Sequence, residues 1–187
     1  GVLLDQYNYY NATCGNEQYG FAMQTALALT RIVTGRAYKT DYNNYTSLYF
    51  MCVAKSGTGK EHPKTVIENI LYSSNMGDLI GGDGYTSAGA VFSALLDKPR
   101  HITVIDELGR YLEAGKEGNK GTHHQREANT KIMESFGRAH GVLRPPTYST
   151  MTLNKDQAAH VRNRLVYNPS ITLVGMSTPD TLFKSLD

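Results

Sequence analysis

The 187-residue chain holds only two cysteines, too few for a disulfide framework, so a reducing, cytosolic setting is the default expectation. Cys52 lies in an apolar run and reads as a core thiol, whereas Cys14 stands among polar residues. No apolar run approaches membrane-spanning length, and neither a secretory leader nor a lipidation motif is visible, so no membrane partner is expected. Charge of one sign is missing too. The chain carries 19 Lys and Arg against 17 Asp and Glu, a net +2, so a nucleic-acid signal must be local. The length fits one domain with a sizeable core. Gly1 in place of Met, and a final LFKSLD inside an apparent helix, read as an excised piece of a longer protein.

What is present is concentrated between Thr46 and Leu71, in TSLYFMCVAKSGTGKEHPKTVIENIL. Leu48 to Val53 is apolar and β-prone, a Gly/Ser/Lys turn follows, and Val66, Ile67, Ile70 and Leu71 then recur on one helical face. Strand, glycine loop, lysine and helix in that order form a phosphate cradle. The loop amides and the helix N-terminus face an anion, the glycines admit the main chain to it, and the lysine adds a point charge. The pattern is a P-loop spanning Ala54, Lys55, Ser56, Gly57, Thr58, Gly59, Lys60 and Glu61, with two departures. Ala54 replaces a glycine, which is mild. Glu61 replaces the Ser or Thr that ordinarily ligates Mg²⁺, which is serious, because a carboxylate there would ligate the metal but repel the phosphates. The plain alternative is a flexible Gly/Ser turn.

A second landmark is His101 to Leu108, HITVIDEL, an apolar strand ending in Asp106-Glu107 about fifty residues beyond the lysine. In a nucleotide hydrolase such an Asp holds Mg²⁺ and the Glu polarises the attacking water. Alone, two carboxylates at a strand end more often mark a solvated turn. Behind a P-loop they complete a site, and the pair implies a P-loop NTPase.

The rest gives expectations for the frame. Residues 1–15 lack periodicity and read as a lead-in without regular structure. A helix is expected from Asn16 to Val33, stopped by Gly35, packed on the sheet and flanking the nucleotide base. Asp78-Leu79-Ile80 reads as a short strand, and Thr86 or Ser87 as the cap of a helix ending at Lys98-Pro99. Residues 109–127 read as a loop whose Lys116, Lys120, His123, His124 and Arg126 would face a polyanion. The plain alternative is a solvated loop, and no further His or Cys stands at ligand spacing beside the His pair. A helix follows with Ala128, Ile132, Met133 and Phe136. Residues 141–169 fit either a hairpin or an irregular insertion. Ser170 to Met176 is a buried strand leading to Ser177-Thr178, and a helix begins at Asp180.

Four landmarks together, SGTGK, GYTSAGAVFSALL, VIDELGRYLE and NPSITLVGMSTPDTLF, resemble the ATPase domain of phage and mobile-element primase–helicase replication proteins, from about residue 45 onward. The resemblance implies an α/β fold of the P-loop NTPase (RecA/AAA+-like) kind, with a central, mostly parallel sheet flanked by helices. Residues 1–45 would be a lead-in packed on an ATPase core of 46–187 that is cut off at its C-terminus. By position, Lys60 would touch the β- and γ-phosphates of ATP. Asp106, with Glu61, would hold Mg²⁺, Glu107 would activate water, and Ser177 or Thr178 would sense the γ-phosphate. The implied partners are single-stranded DNA and further copies in a ring, a hexamer by analogy. Two other readings stay open: a nucleotide-binding loader or packaging scaffold without hydrolysis, which Glu61 favours, and a small-molecule kinase, which an absent arginine-rich lid disfavours.

Overall fold

The computed structural model describes residues 1–116, 122–145 and 164–186. Strand β5 (Ser170–Ser177) is its axis, and every one of its eight residues is buried. Such a near-continuous apolar, β-branched run belongs in the middle of a parallel sheet covered on both faces. Strand β1 (Tyr49–Val53) pairs with one side of it, in the register Val53 to Ser177. Strand β2 (Arg100–Ile105) pairs with the other, in the register Ile105 to Gly175. All three strands are parallel, in the order β1-β5-β2. The strand that feeds the glycine loop and the acidic strand do not adjoin, because β5 separates them, yet all three strands deliver their C-termini to the same edge.

Alternation along the strands sorts the core into two halves. Val174 and Met176 join a cluster with Ala22, Leu29 and Ile32 of α2 (Tyr19–Thr34) and Val66, Ile67 and Leu71 of α3 (His62–Ser73). Ile171 and Leu173 join Val91 and Leu95 of α4 (Ala88–Asp97) and Ile132 of α6 (Thr122–Gly137) on the opposite face. Truncating one of these core Leu or Ile side chains to Ala would cost about 2–5 kcal/mol. The acidic strand leads into a short helix, α5 (Leu108–Glu113), which crosses β5 so closely that a Cβ on Gly175 would lie 2.4 Å from Leu108 Cδ2. The last described helix, α7 (Pro179–Leu186), follows β5.

Several local expectations hold. The helix expected from Asn16 is α2, ending at Gly35, and Ser87 caps α4 by accepting a hydrogen bond from the Ala90 amide at 3.1 Å. Others change. Residues Val2–Thr13 form a helix, α1, because Tyr10 is buried in the α2/α3 core with Tyr7 and Cys14 packed beside it. Tyr7, Tyr10 and Cys14 share one helical face, a pattern that the surrounding Asn and Tyr residues obscure. Residues Gly77–Leu79 form a 3₁₀ turn, not a strand; only Ile80 bridges to Ile102, and the Gly81-Gly82 pair ends the pairing there. Much of the stretch 109–127 is helical, divided between α5 and the start of α6. At the two ends of 141–169 an antiparallel pair forms, β3 (Val142–Leu143) with β4 (Val166–Tyr167), and residues 146–163 between them lie outside the described residues.

Behind β2 lies a buried polar relay. His101 Nδ1 donates to the Lys98 carbonyl at 2.7 Å, which leaves Nε2 to accept from the Tyr85 hydroxyl; that oxygen in turn meets Thr103 Oγ1 at 2.7 Å. Burial pushes the His101 imidazole below its ordinary range, with the Lys98 carbonyl bond partly opposing it, so the ring is neutral.

Candidate active site

The loop after β1 takes its shape from two glycines in the left-handed region, Gly57 at φ +79° and Gly59 at φ +82°. Neither ideal Cβ would meet an atom within 4 Å, so both positions face open space at the edge of the sheet. Thr58 closes the turn through its hydroxyl on the Lys55 carbonyl at 2.7 Å, and the Ala54 amide is held by the Ser177 carbonyl at 3.1 Å. Among the described residues, the main-chain N–H groups of Ser56, Gly57, Gly59 and Lys60 have no acceptor. Four free amides on a glycine turn that opens a helix form an anion cradle.

Lys60 lies beneath this cradle with its side chain 7% exposed, and its Nζ reaches Glu107 Oε1 at 3.2 Å, Asp106 Oδ1 at 3.5 Å and Glu61 Oε1 at 3.7 Å. Desolvation alone would lower its pKa. The hydrogen bond to Glu107 and the charges of Asp106, Glu107 and Glu61 outweigh that and hold the ammonium above its ordinary range. The expected meeting of lysine with the Asp-Glu pair is therefore present. β5 sets the gap between the two strands, and the lysine side chain spans it.

Glu107 sits in the left-handed region at φ +55°, ψ +47°, as the cap of α5. A non-glycine residue there costs roughly 1–2 kcal/mol, and such strain gathers where a side chain must be aimed. Here it turns the Glu107 carboxylate back beside Asp106, whose Oδ1 accepts from the Glu107 amide at 3.0 Å. Arg110 Nε stands 3.9 Å from Glu107 Oε2.

The free amides and Lys60 are donors that suit an anion, and Asp106 and Glu61 are oxygen ligands of the kind a divalent cation takes. Asp106 offers a half-exposed carboxylate, while Glu61, 73% exposed, supplies a second negative charge where a neutral hydroxyl would suit the phosphates better. The two expected sensors differ. Ser177 is fully buried and its Oγ is engaged, accepting from Gly109 N at 3.3 Å and lying 2.9 Å from Thr181 Oγ1. Thr178 is half-buried, 2.8 Å from the same Thr181 hydroxyl, and is the more accessible of the pair.

The candidates for polyanion contact do not join this site through any described bond. Lys116 Nζ donates to the Lys184 carbonyl at 2.7 Å, and Lys120 lies outside the described residues. His123 and His124 ride on α6, not on a loop, with their Nδ1 atoms 3.5 Å and 3.6 Å from Glu127 Oε2. Glu127 makes the His pair a three-residue group whose ligand atoms lie within 4.8 Å of one another, all exposed. Arg126 lines a groove of about 430 Å³ with Ala88, Thr130 and Lys131.

Sequence reasoning missed two neighbours of the cradle. The Gln18 side-chain amide, at the start of α2, donates to the Thr58 carbonyl and ties the N-terminal helices to the P-loop. Lys64, one turn past Lys60, pairs with Asp83 of the GGDG stretch at 2.9 Å. Lys64 carried a readable signal in its i+4 spacing from Lys60, whereas Gln18 had none.

No family model, no curated protein and no solved structure matches this chain. Among the described residues no helix is long and apolar enough to cross a membrane.

Proposed function

We propose that this chain is an ATP-hydrolysing motor domain that acts on single-stranded DNA as part of a ring, in the manner of the replication helicases its motifs resemble. The observation that carries the nucleotide part is the convergence of Lys60 Nζ on Asp106 and Glu107, 3.5 Å and 3.2 Å away, beneath a turn with four free amides. In this reading the loop amides and Lys60 bind and orient the β- and γ-phosphates. Lys60 leaves its carboxylate partners as the triphosphate enters, which frees Glu107 to accept a proton from the attacking water. Asp106, with Glu61 beside it, would hold Mg²⁺, which when bound neutralises charge developing on the phosphate oxygens. Thr178, just past the end of the central strand, would report the γ-phosphate. The DNA and ring parts rest on the resemblance alone, with Lys116, Lys120, His123, His124 and Arg126 as the candidate contacts.

Glu61 favours a second reading, a nucleotide-binding module without turnover, such as a loader or packaging scaffold. Steady-state ATPase with Mg²⁺, wild type against Glu107→Gln, separates the two. The motor reading expects turnover in the wild type and a loss of about 10²-fold or more in the variant, with nucleotide still bound. Bound nucleotide without turnover in either protein supports the module, and no bound nucleotide in either removes both.

A further inference from the structure

At the end of the sheet remote from the glycine loop, three arginines have no acidic partner among the described residues. Arg31, in the last turn of α2, is 2% exposed, yet among the described residues its guanidinium makes one hydrogen bond, from Nη2 to Ser170 Oγ at 2.6 Å. Its Nε and Nη1 are buried without any hydrogen-bond partner. Guanidinium groups are rarely buried except against a carboxylate or phosphate, because desolvating the charge costs several kcal/mol unless an anion compensates it. The nearest charge makes matters worse: burial first, then the like charge of Arg100, lower the Arg31 pKa to about 10, so it remains a cation at neutral pH. Arg100 Nη1 donates to the Val33 carbonyl at 3.0 Å, and its stem lies in the space a Cβ on Gly35 would fill, 2.2 Å from Arg100 Cδ. Arg36, next to that glycine, donates from Nη2 to the Tyr167 carbonyl at 2.6 Å. Among the described residues none of the three has an acidic partner; each donates instead to a carbonyl or a hydroxyl. Three planar donors, one with two nitrogens unpartnered, form a receptor short of its anion.

We infer that Arg31, Arg36 and Arg100 form a binding site for a phosphate group at the amino-terminal edge of the sheet, separate from the P-loop. Arg100 and Arg36, both half-buried, are the entrance, and the flexible Arg100 stem is the part that moves to admit the anion to Arg31. A tetrahedral phosphate suits this set because its oxygens can take several guanidinium N–H groups at once. The group could be free phosphate or one unit of a nucleic-acid backbone, and the same arginines would serve either.

The test uses inorganic phosphate on the Lys60→Ala protein, which removes the lysine of the glycine loop, and the arginine variants then report the second site. Thermal unfolding is followed against phosphate concentration at constant ionic strength, with chloride as the balancing anion. The expected result is a saturable rise in Tm in the Lys60→Ala protein. Arg100→Gln should weaken that response about tenfold or more, the worth of one charge-assisted hydrogen bond, and Arg36→Gln, at a half-buried position, serves as the second variant should Arg100→Gln fail to fold. No phosphate response in Lys60→Ala, or a response that Arg100→Gln and Arg36→Gln leave unchanged, would overturn the assignment. In a second arm, a short single-stranded DNA oligonucleotide that displaces phosphate, and loses affinity in the same variants, identifies the source as a polynucleotide backbone. An oligonucleotide without effect identifies it as free phosphate.

Discussion

At the carboxyl end of the sheet Lys60 is met by three carboxylates within 3.7 Å, whereas at the amino end Arg31 is met by one serine hydroxyl and a second arginine. Both cations are buried, and one strand, β5, touches both neighbourhoods through Ser177 and Ser170. At about 3.3 Å per residue the eight residues of β5 separate them by roughly 23 Å. The difference is instructive because the fold supplies an internal partner in one place and withholds it in the other. At the upper end the lysine is stored as an ion pair with the groups it would leave when a triphosphate arrives. At the lower end the charge is stored without a counter-ion, a state that an incoming anion would relieve. A sheet with a balanced end and an unbalanced end has two ligand environments of different kinds.

The largest effect should come from removing the balanced cation. Lys60→Ala takes away the buried cation of the cradle and should lower Mg²⁺-dependent ATP turnover by roughly 10²–10³-fold, measured as steady-state phosphate release. Removing the unbalanced cation should act in the opposite sense on stability. Arg31→Met replaces an uncompensated buried charge by an apolar chain of similar length, so the unfolding free energy in urea should stay level or rise by about 1 kcal/mol or more. A clear loss would mean that Arg31 already has the partner it needs.

Glu61→Thr sharpens the contrast at the upper end by restoring a neutral oxygen ligand and removing a negative charge. It should raise Mg²⁺-dependent turnover or nucleotide affinity by about tenfold, equivalent to ~1.4 kcal/mol, in a titration with ATP. The smallest effect concerns His101, near the amino end of β2. Its folded-state pKa is lowered, so the neutral ring's contribution to stability is present above the unfolded value of about 6.5 and is lost as the pH falls through the lower, folded value. Urea midpoints from pH 7 to pH 5 should therefore fall more steeply for wild type than for His101→Gln, by at most about 1.4 kcal/mol per pH unit.

How much of this was legible in the sequence follows from how local each signal is. The P-loop, the Asp106-Glu107 strand end and the buried run of β5 are contiguous, and their chemistry lies in neighbouring residues. The three-stranded parallel sheet with helices on both faces follows from the alternation of those runs with helical patterns. The insertion of β5 between β1 and β2 was not legible, because pairing order is set by contacts far apart in the chain, as between Tyr49 and Leu173 or Arg100 and Ser170. Helix α1 was hidden for a similar reason: Tyr7 and Tyr10 become an apolar face only once α2 and α3 are there to cover them. The Gln18 contact with Thr58 and the lack of an acid near Arg31 are likewise tertiary facts. Neither residue type announces them.

The most direct test of the nucleotide account is a structure of the protein with a non-hydrolysable ATP analogue and Mg²⁺. The account predicts phosphate oxygens within hydrogen-bond distance of the Ser56 to Lys60 amides, Lys60 Nζ moved onto the phosphates, and the metal against Asp106. Lys60 still paired with Glu107 and Asp106, with the analogue bound elsewhere or not at all, would contradict it.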